Sequence, residues 1–389
     1  MTRVAIVGGG LGGLAAAAFL HQAGIPATVY EQARALREVG AGIMVPPNAV
    51  RMLRRLGVLG PFRERAIRLD IGWEFRRWQD GTVLSAQDLA AKSGRLYGED
   101  TYTTHRADLL DSILSAVPPG TVQLGRRLDG FSASPDGVRL RFADGERTEA
   151  DVLVGADGIH SVIRAALTEP VPPVHSGMSA FRALVPAAAA PDFARRPAQS
   201  VWLGPGHHVV HYPVGGGELI NMVAVGPADD RDTESWTATA TVEEFVAEYK
   251  GWDDRLTTLI KAARTPGRWA LLIRQPLPRW TQGPVTLLGD AAHPMLPFLG
   301  QGAAQAFEDA AVLAVCLAAD PDDPQRALRR YAAERIDRAS QVQLGSHARA
   351  DFNHLPDGPD QRVRDDELRA ADPLAANAWL YSHDPVGPR

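Results

Sequence analysis

Apolar runs of strand length alternate with helical stretches in the first part of the chain. Val4-Ala5-Ile6-Val7 is an unbroken apolar run, followed by a glycine cluster and an Ala/Leu-rich stretch, 11–23, that reads as a helix stopped by Gly24. Ala27-Thr28-Val29-Tyr30 reads as a second strand ending at Glu31, near the minimum length for a parallel βαβ crossover. Pro47 stands at a first helical position before 49–53, and Gly57 closes that helix. From 68 to 85 the pattern turns to strands around an Asp80-Gly81 hairpin signal. Leu109, Leu110, Ile113 and Leu114 mark 106–117 as an amphipathic helix.

A meander follows, with strands near 128–133 and 138–142 and turns at Asp136-Gly137 and Asp144-Gly145. Asp151-Val152-Leu153-Val154 then reads as a buried strand leading into Gly155-Ala156-Asp157-Gly158. Residues 175–275 form a separate, mainly β segment with strands over 180–185, 200–203, 207–212 and 219–225. Within it, Thr241-Val242-Glu243-Glu244 is a capping box that opens a helix. The first style returns at Val285-Thr286-Leu287-Leu288 and Gly289-Asp290, before long helices over 302–319 and 325–349. The tail from 355 to 389 is polar and proline-rich and reads as irregular.

At 389 residues the chain has room for two domains or one large α/β domain with an inserted sheet. A net charge of −5 leaves no global basic field for nucleic acid. Its one cysteine, Cys316, excludes an intramolecular disulfide framework and the redox-active pair of flavin disulfide reductases. No signal-peptide core precedes Val4 and no stretch reads as a spanning helix, so a cytoplasmic protein with no membrane span is expected.

Gly8-Gly9-Gly10-Leu11-Gly12-Gly13 satisfies G-x-G-x-x-G through Gly8, Gly10 and Gly13, directly between a strand and a helix. Glycine permits the tight turn and lets backbone approach a pyrophosphate, while the helix start offers free N–H groups. Glu31 ends the second strand at the right separation to accept hydrogen bonds from ribose hydroxyls. This unit alone leaves NAD and FAD open. Three further sites favour FAD: Arg106 at a helix start, Asp157-Gly158 after an apolar strand, and Gly289-Asp290 followed by Gly300-Gln301-Gly302. A carboxylate at such a strand end can hold a ribitol hydroxyl, and NAD leaves that last site unexplained.

These motifs, in this order, resemble those of the single-component FAD-dependent aromatic hydroxylases with the p-hydroxybenzoate hydroxylase fold. The resemblance runs from Val4 to about Gln343, through Gly40-Ala41-Gly42-Ile43, Pro47-Asn48, His105-Arg106, His211-Tyr212-Pro213 and 287–305. Salicylate 1-hydroxylase, 3-hydroxybenzoate 6-hydroxylase and 6-hydroxynicotinate 3-monooxygenase are similar members. The resemblance implies an α/β fold: a Rossmann-like FAD-binding domain with an inserted, mainly β substrate domain and C-terminal helices. The FAD-binding parts fall at 1–70, 101–174 and 276–350, the substrate parts at 71–100 and 175–275, and the tail at 351–389.

It also implies non-covalent FAD, NADH or NADPH as transient donor, and hydroxylation of a small phenolic or hydroxy-heteroaromatic acid by O₂ through a flavin C4a-hydroperoxide. Cofactor contacts carried over are Gly8, Gly10, Leu11, Gly12, Gly13, Glu31, Gln32, Arg106, Leu128, Asp157, Gly289 and Asp290. The stretch Pro297, Gly300, Gly302 and Ala303 would face the isoalloxazine. Met44, Thr101 and Phe298 fall near substrate, with Met44 and Thr101 departing from the polar residue and tyrosine some relatives carry there. Tyr102 and Gln301 join the catalytic candidates, and the polar tail offers a surface for a homodimer.

A phenol activated at neutral pH needs a base near its oxygen. Alternation along 207–212 puts His207, Val209 and His211 on one face and His208, Val210 and Tyr212 on the other. His211, in the family-like His-Tyr-Pro stretch, is the candidate base; a sheet histidine bonded to a neighbouring strand has the same signature. Strand alternation splits the three histidines, which argues against a metal site. His293 reads as a structural residue holding its loop by a backbone hydrogen bond. Flavin halogenases share the glycine features but need a Trp-x-Trp-x-Ile-Pro stretch and a catalytic lysine, which Lys92, Lys250 and Lys261 do not provide. A flavin dehydrogenase or oxidase would not consume NAD(P)H, and an FAD-binding regulatory protein would show no substrate-stimulated oxygen uptake.

Overall fold

The computed structural model describes residues 2–36, 41–90, 92–169, 171–229 and 239–387. Gly40 of the family-like stretch and 230–238 of the predicted β segment lie outside them. A six-stranded sheet carries the nucleotide-binding half, with Val4–Val7 between Ala27–Glu31 and Val152–Gly155. Val285–Leu287 pairs in parallel on the far side of Val152–Gly155. These strands are mainly apolar and buried, packed in one core with the helices Leu11–Gln22 and Gly302–Ala319 and with Val138, Leu140 and Phe142 of the meander. The chain leaves Val4–Val7 for Ala27–Glu31 on one side, and Val152–Gly155 has Val285–Leu287 on the other. The C-terminal end of Val4–Val7 is therefore a topological switch point, where α/β sheets bind ligands.

Register brings the motifs together. Val7 pairs with Gly155, and Gly155 with Leu287. Gly8, Ala156 and Leu288 thus follow at the ends of three adjacent parallel strands, though they are up to 280 positions apart in sequence.

A seven-stranded sheet forms the other half, in the order Gly267–Ile273, Val174–Pro186, Leu219–Pro227, His207–Val214, Ala198–Gly204, Ile71–Arg77, Val83–Asp88. The strands from 71–88 thus share a sheet with those from 174–273. One face packs on Val242–Glu248 and Asp254–Lys261 through Phe181, Trp202, Phe245 and Leu256. The Thr241 capping box forms, with Glu244 N–H donating to Thr241 Oγ1 at 3.1 Å and Thr241 N–H to Glu244 Oε2 at 2.8 Å.

The helix Gly302–Ala319 is long and apolar enough by composition to cross a membrane, but most of it is buried inside this protein. Its Glu308 and Asp309 are fully buried and meet Arg335 of the helix Pro324–Asn353, each at 2.8 Å. Loss of Arg335 would remove the cation the two carboxylates share, leaving Asp309 to His293 at 2.6 Å and Glu308 to Arg338 at 3.7 Å.

The tail corrects the expectation of irregular structure. Pro359–Ala370 is a helix packed on Val83–Asp88, and Ala378–Tyr381 forms a further short helical turn. Polar pairs hold it: Arg364 and Asp365 are buried together, and Arg364 Nη1 donates to the Phe352 carbonyl at 3.0 Å. A hydropathy pattern does not register burial of that kind.

Candidate active site

Between the two sheets lies a cavity of about 370 Å³. One wall is the crevice at the strand ends, including Gly10, Leu11, Gly12, Arg106, Ala156, Gly289 and Asp290. The opposite wall is the open face of the seven-stranded sheet, with Val201, His208, Val210, Tyr212 and Val223. The loop Pro297, Phe298, Gly300, Gln301, Gly302 and Ala303 closes it between them.

The glycines at the crevice are there for different reasons. A Cβ at Gly8 would overlap the Ala156 carbonyl, and one at Gly13 would overlap the Gly8 carbonyl, so both serve close backbone packing. A Cβ at Gly10 would meet nothing within 4 Å. The start of the helix Leu11–Gln22 therefore opens onto free space, without a side-chain cap, as a pyrophosphate site requires. Glu31 is pinned beside the turn, its carboxylate accepting Gly9 N–H at 2.6 Å and Ala33 N–H at 2.7 Å. Asp290 is exposed at the cavity edge, on the strand-end turn where a ribitol hydroxyl would lie. The chain thus fits FAD with its phosphates at the first helix and its ring toward the loop 297–303.

Several expected residues lie elsewhere. Leu128 is packed in the core, and Gln32 is exposed outside the cavity. Asp157 does not line the cavity, although Ala156 and Gly158 do. Its carboxylate caps the helix Val162–Leu167, accepting Ser161 Oγ–H at 2.5 Å and Val162 N–H at 2.9 Å. Burial raises the Asp157 carboxyl above its ordinary value against those bonds. Asp157 therefore shapes the turn that carries Ala156 and Gly158 to the cavity.

Thr101 is buried away from the cavity, its carbonyl accepting Leu69 N–H at 2.9 Å. Tyr102 packs edge-on to Phe62, and its hydroxyl accepts from Arg63 Nε at 2.9 Å. Both serve the packing of the small sheet formed by Gly42–Val45, Tyr102–His105 and Ile67–Arg68. Met44 and Phe298 do line the cavity. Gln301 does as well; its Oε1 accepts from Asn48 Nδ2 at 2.9 Å, while its buried Nε2 has no hydrogen-bond partner among the described residues. His293 bonds a carboxylate rather than backbone, at 2.6 Å from Asp309. Burial opposes ionisation of Asp309, but His293 and Arg335 outweigh it and hold the carboxyl below its ordinary range.

The larger correction concerns His211. The predicted alternation holds, but the cavity takes the other face, with His208, Val210 and Tyr212. His211 lies behind the sheet, where its Nε2 accepts from the Trp202 indole at 3.1 Å and its ring meets Phe193 edge-on. Burial lowers its imidazole to about 3. His208 occupies the position His211 was expected to fill. Its Nδ1 lies 2.6 Å from His354 Nε2, and burial, His354 and Arg349 hold it well below the ordinary histidine range. His208 is thus neutral near pH 7, with His354 beside its Nδ1.

Sequence reasoning also missed Arg182, Gln199, Trp73 and Asn353, which line the cavity from four separate elements. Alternation was the one signal for His208; nothing local marks the other four. Arg182 stacks on Trp269, 4.5 Å from its ring centroid, and carries positive charge into the aromatic end.

Two predictions arise here. Asp290→Ala is expected to weaken FAD binding about ten- to a hundredfold, the worth of a charge-assisted hydrogen bond of roughly 1.5–3 kcal/mol. Fluorescence titration checks this, and an unchanged Kd would remove the ribitol role. The second concerns pH. Burial holds His211 at about 3 and His354 at about 4, whereas both titrate near ~6.5 once unfolded. Below that value the unfolded chain binds more protons, so stability falls as pH falls. Denaturant titrations at pH 7 and 5 should differ by about 1–2 kcal/mol for each buried imidazole; equal values would show that these rings titrate normally.

A family model described as an FAD binding domain matches residues 1–345. The chain is 45% identical to a 3-amino-4-hydroxybenzoate 2-monooxygenase of Streptomyces platensis, over 100% of this chain and 98% of the relative. It is 37% identical to a 6-hydroxynicotinate 3-monooxygenase of Pseudomonas fluorescens, over 89% of this chain and 90% of that one. Among solved structures, a salicylate hydroxylase substrate complex superposes with a TM-score of 0.83 at 30% identity, covering 99% of this chain and 96% of that chain. Klebsiella pneumoniae HpxO complexed with FAD and uric acid gives 0.86 at 29%, covering 98% and 96%.

Proposed function

Since this chain belongs to the FAD binding domain family, among the FAD-dependent aromatic hydroxylases, we propose that it uses NADH or NADPH and O₂ to hydroxylate a small hydroxy- or amino-substituted aromatic acid. Salicylate and 3-amino-4-hydroxybenzoate exemplify that class. The observation that supports this reading most strongly is the cavity itself. It joins a nucleotide crevice to an apolar sheet face that carries one neutral histidine and one arginine.

FAD, when bound, supplies the redox chemistry: it takes hydride from the nicotinamide and activates O₂. The chain's own residues do the rest. Gly10 to Gly12 and the first helix hold the phosphates, and Asp290 orients the ribitol. Val201, Val210, Val223 and Phe298 exclude water from the aromatic end. Arg182 attracts the carboxylate of the acid. His208 takes the proton of the ring hydroxyl, leaving the oxygen electron-rich so that the adjacent ring carbon becomes the nucleophile. The Nδ1 contact with His354 orients the His208 ring for that transfer.

The test is a screen of hydroxybenzoates, aminohydroxybenzoates and hydroxypyridine carboxylates for stimulated oxidation of NADH and NADPH, with product masses. A mass increase of one oxygen, with stoichiometric nicotinamide oxidation, is expected for at least one acid. No stimulation by any of them would remove the reading.

A further inference from the structure

Trp73 is the one residue other than glycine with a positive φ among the described residues, at +42°. That backbone region is unfavourable for a bulky side chain and is retained only where its surroundings enforce it. The strand pairings show what enforces it. Register with Val83–Asp88 breaks between Gly72 and Phe75, and register with Ala198–Gly204 shifts between Ala198 and Ser200. Trp73 therefore has no ladder partner on either side and sits in a bulge, a device that re-aims a side chain. Trp73 lines the cavity.

The indole is also held from outside the sheet. Trp73 Nε1 donates to the Tyr381 hydroxyl at 2.8 Å, a buried bond across 308 positions of sequence. Tyr381 is itself a fixed post. Its ring meets Tyr97 edge-on at 5.3 Å, and it is 1% exposed. The chain around it is clasped: Arg51 donates to the His383 carbonyl at 2.6 Å, Arg338 to the Trp379 carbonyl at 3.0 Å, and Arg55 pairs with Asp384 at 2.7 Å. These contacts anchor the segment around Tyr381 on the helices Pro47–Arg55 and Pro324–Asn353.

We propose that Trp73 is a specificity-determining wall of the aromatic site, and that Tyr381 is the positioning residue that holds its indole there. The C-terminal segment, beyond the 345 residues that the family model matches, thereby completes the site. The proposal rests on the aromatic-acid reading above. A flat indole fixed at the cavity edge favours planar ligands, and loss of the Tyr381 bond frees the ring to turn away.

The test uses the FAD-loaded full-length protein, with 3-amino-4-hydroxybenzoate and salicylate as probes. Binding is read from the change in flavin absorbance, and coupling as product formed per NADH consumed. Tyr381→Phe removes one oxygen and keeps the contact with Tyr97. It is expected to raise the Kd of the probe that wild type binds by about three- to tenfold, the worth of one neutral hydrogen bond. It should also lower coupling, with the Kd for FAD unchanged. Trp73→Phe should weaken the probe at least as much, and the double variant no more than Trp73→Phe alone, because Tyr381 acts through Trp73. If Tyr381→Phe binds the probe and couples like wild type, with only its unfolding temperature lowered, Tyr381 is a structural residue and the proposal fails. Additive effects in the double variant overturn it too. If wild type binds neither probe nor any other aromatic acid, the aromatic-acid reading fails and takes the proposal with it; unchanged variants beside a binding wild type sink the proposal alone.

Discussion

Replacing His208 with asparagine is expected to slow hydroxylation about 10²–10⁴-fold, the usual contribution of a general base, while FAD stays bound. His208 lines the cavity, and its imidazole is held well below the ordinary histidine range by burial, by His354 and by Arg349. It is therefore unprotonated across the neutral range. Raising the pH should partly rescue the variant, because more of the phenolic substrate arrives already ionised. Wild type should show the weaker rise, since His208 already removes the proton. The measurement is product formed per NADH consumed, followed across pH. His211→Asn provides the contrast: it lies behind the sheet against Trp202 and Phe193, so it should affect stability and leave coupling near wild type. If the two variants behave in the opposite way, the assignment of faces is wrong.

A comparable loss, reached by another route, is expected from Gly10→Asp. A side chain at Gly10 enters open space, so the protein should fold. Its carboxylate would then stand at the helix start where the pyrophosphate belongs, and like charges there repel. The purified variant should be colourless and inactive, with an unfolding transition close to that of wild-type apoprotein. Gly13→Ala should fail differently. Its methyl group would overlap the Gly8 carbonyl, so the strand–helix packing itself must shift, and low yield or a lowered unfolding temperature is expected. A yellow Gly10→Asp protein would show that this turn does not hold the dinucleotide.

Much of the nucleotide half was legible along the chain. The strand 4–7, the glycine turn, Glu31 and Asp290 each announce themselves locally, because a dinucleotide site is built from a backbone conformation that particular residues permit. The long helices read over 302–319 and 325–349 form as Gly302–Ala319 and Pro324–Asn353, and the strands read over 207–212 and 219–225 form as His207–Val214 and Leu219–Pro227. The tail was not, because buried pairs such as Arg364 and Asp365 look polar in a sequence.

The aromatic end divides along the same line. By itself, the sequence determined that His207 and His211 share one face of their strand and His208 and Tyr212 the other, because successive side chains in a strand alternate. It could not say which face meets the flavin crevice. That was decided by the pairing of 207–214 between 198–204 and 219–227, and by the helices Val242–Glu248 and Asp254–Lys261, which cover the His211 side. Trp73, Arg182, Gln199 and Asn353 reach the cavity only after distant segments pack, and no local pattern encodes such a meeting. Local steric rules write the nucleotide turn into consecutive residues, whereas the substrate wall is a surface assembled from several strands, and its composition exists only once the sheet has closed over the crevice.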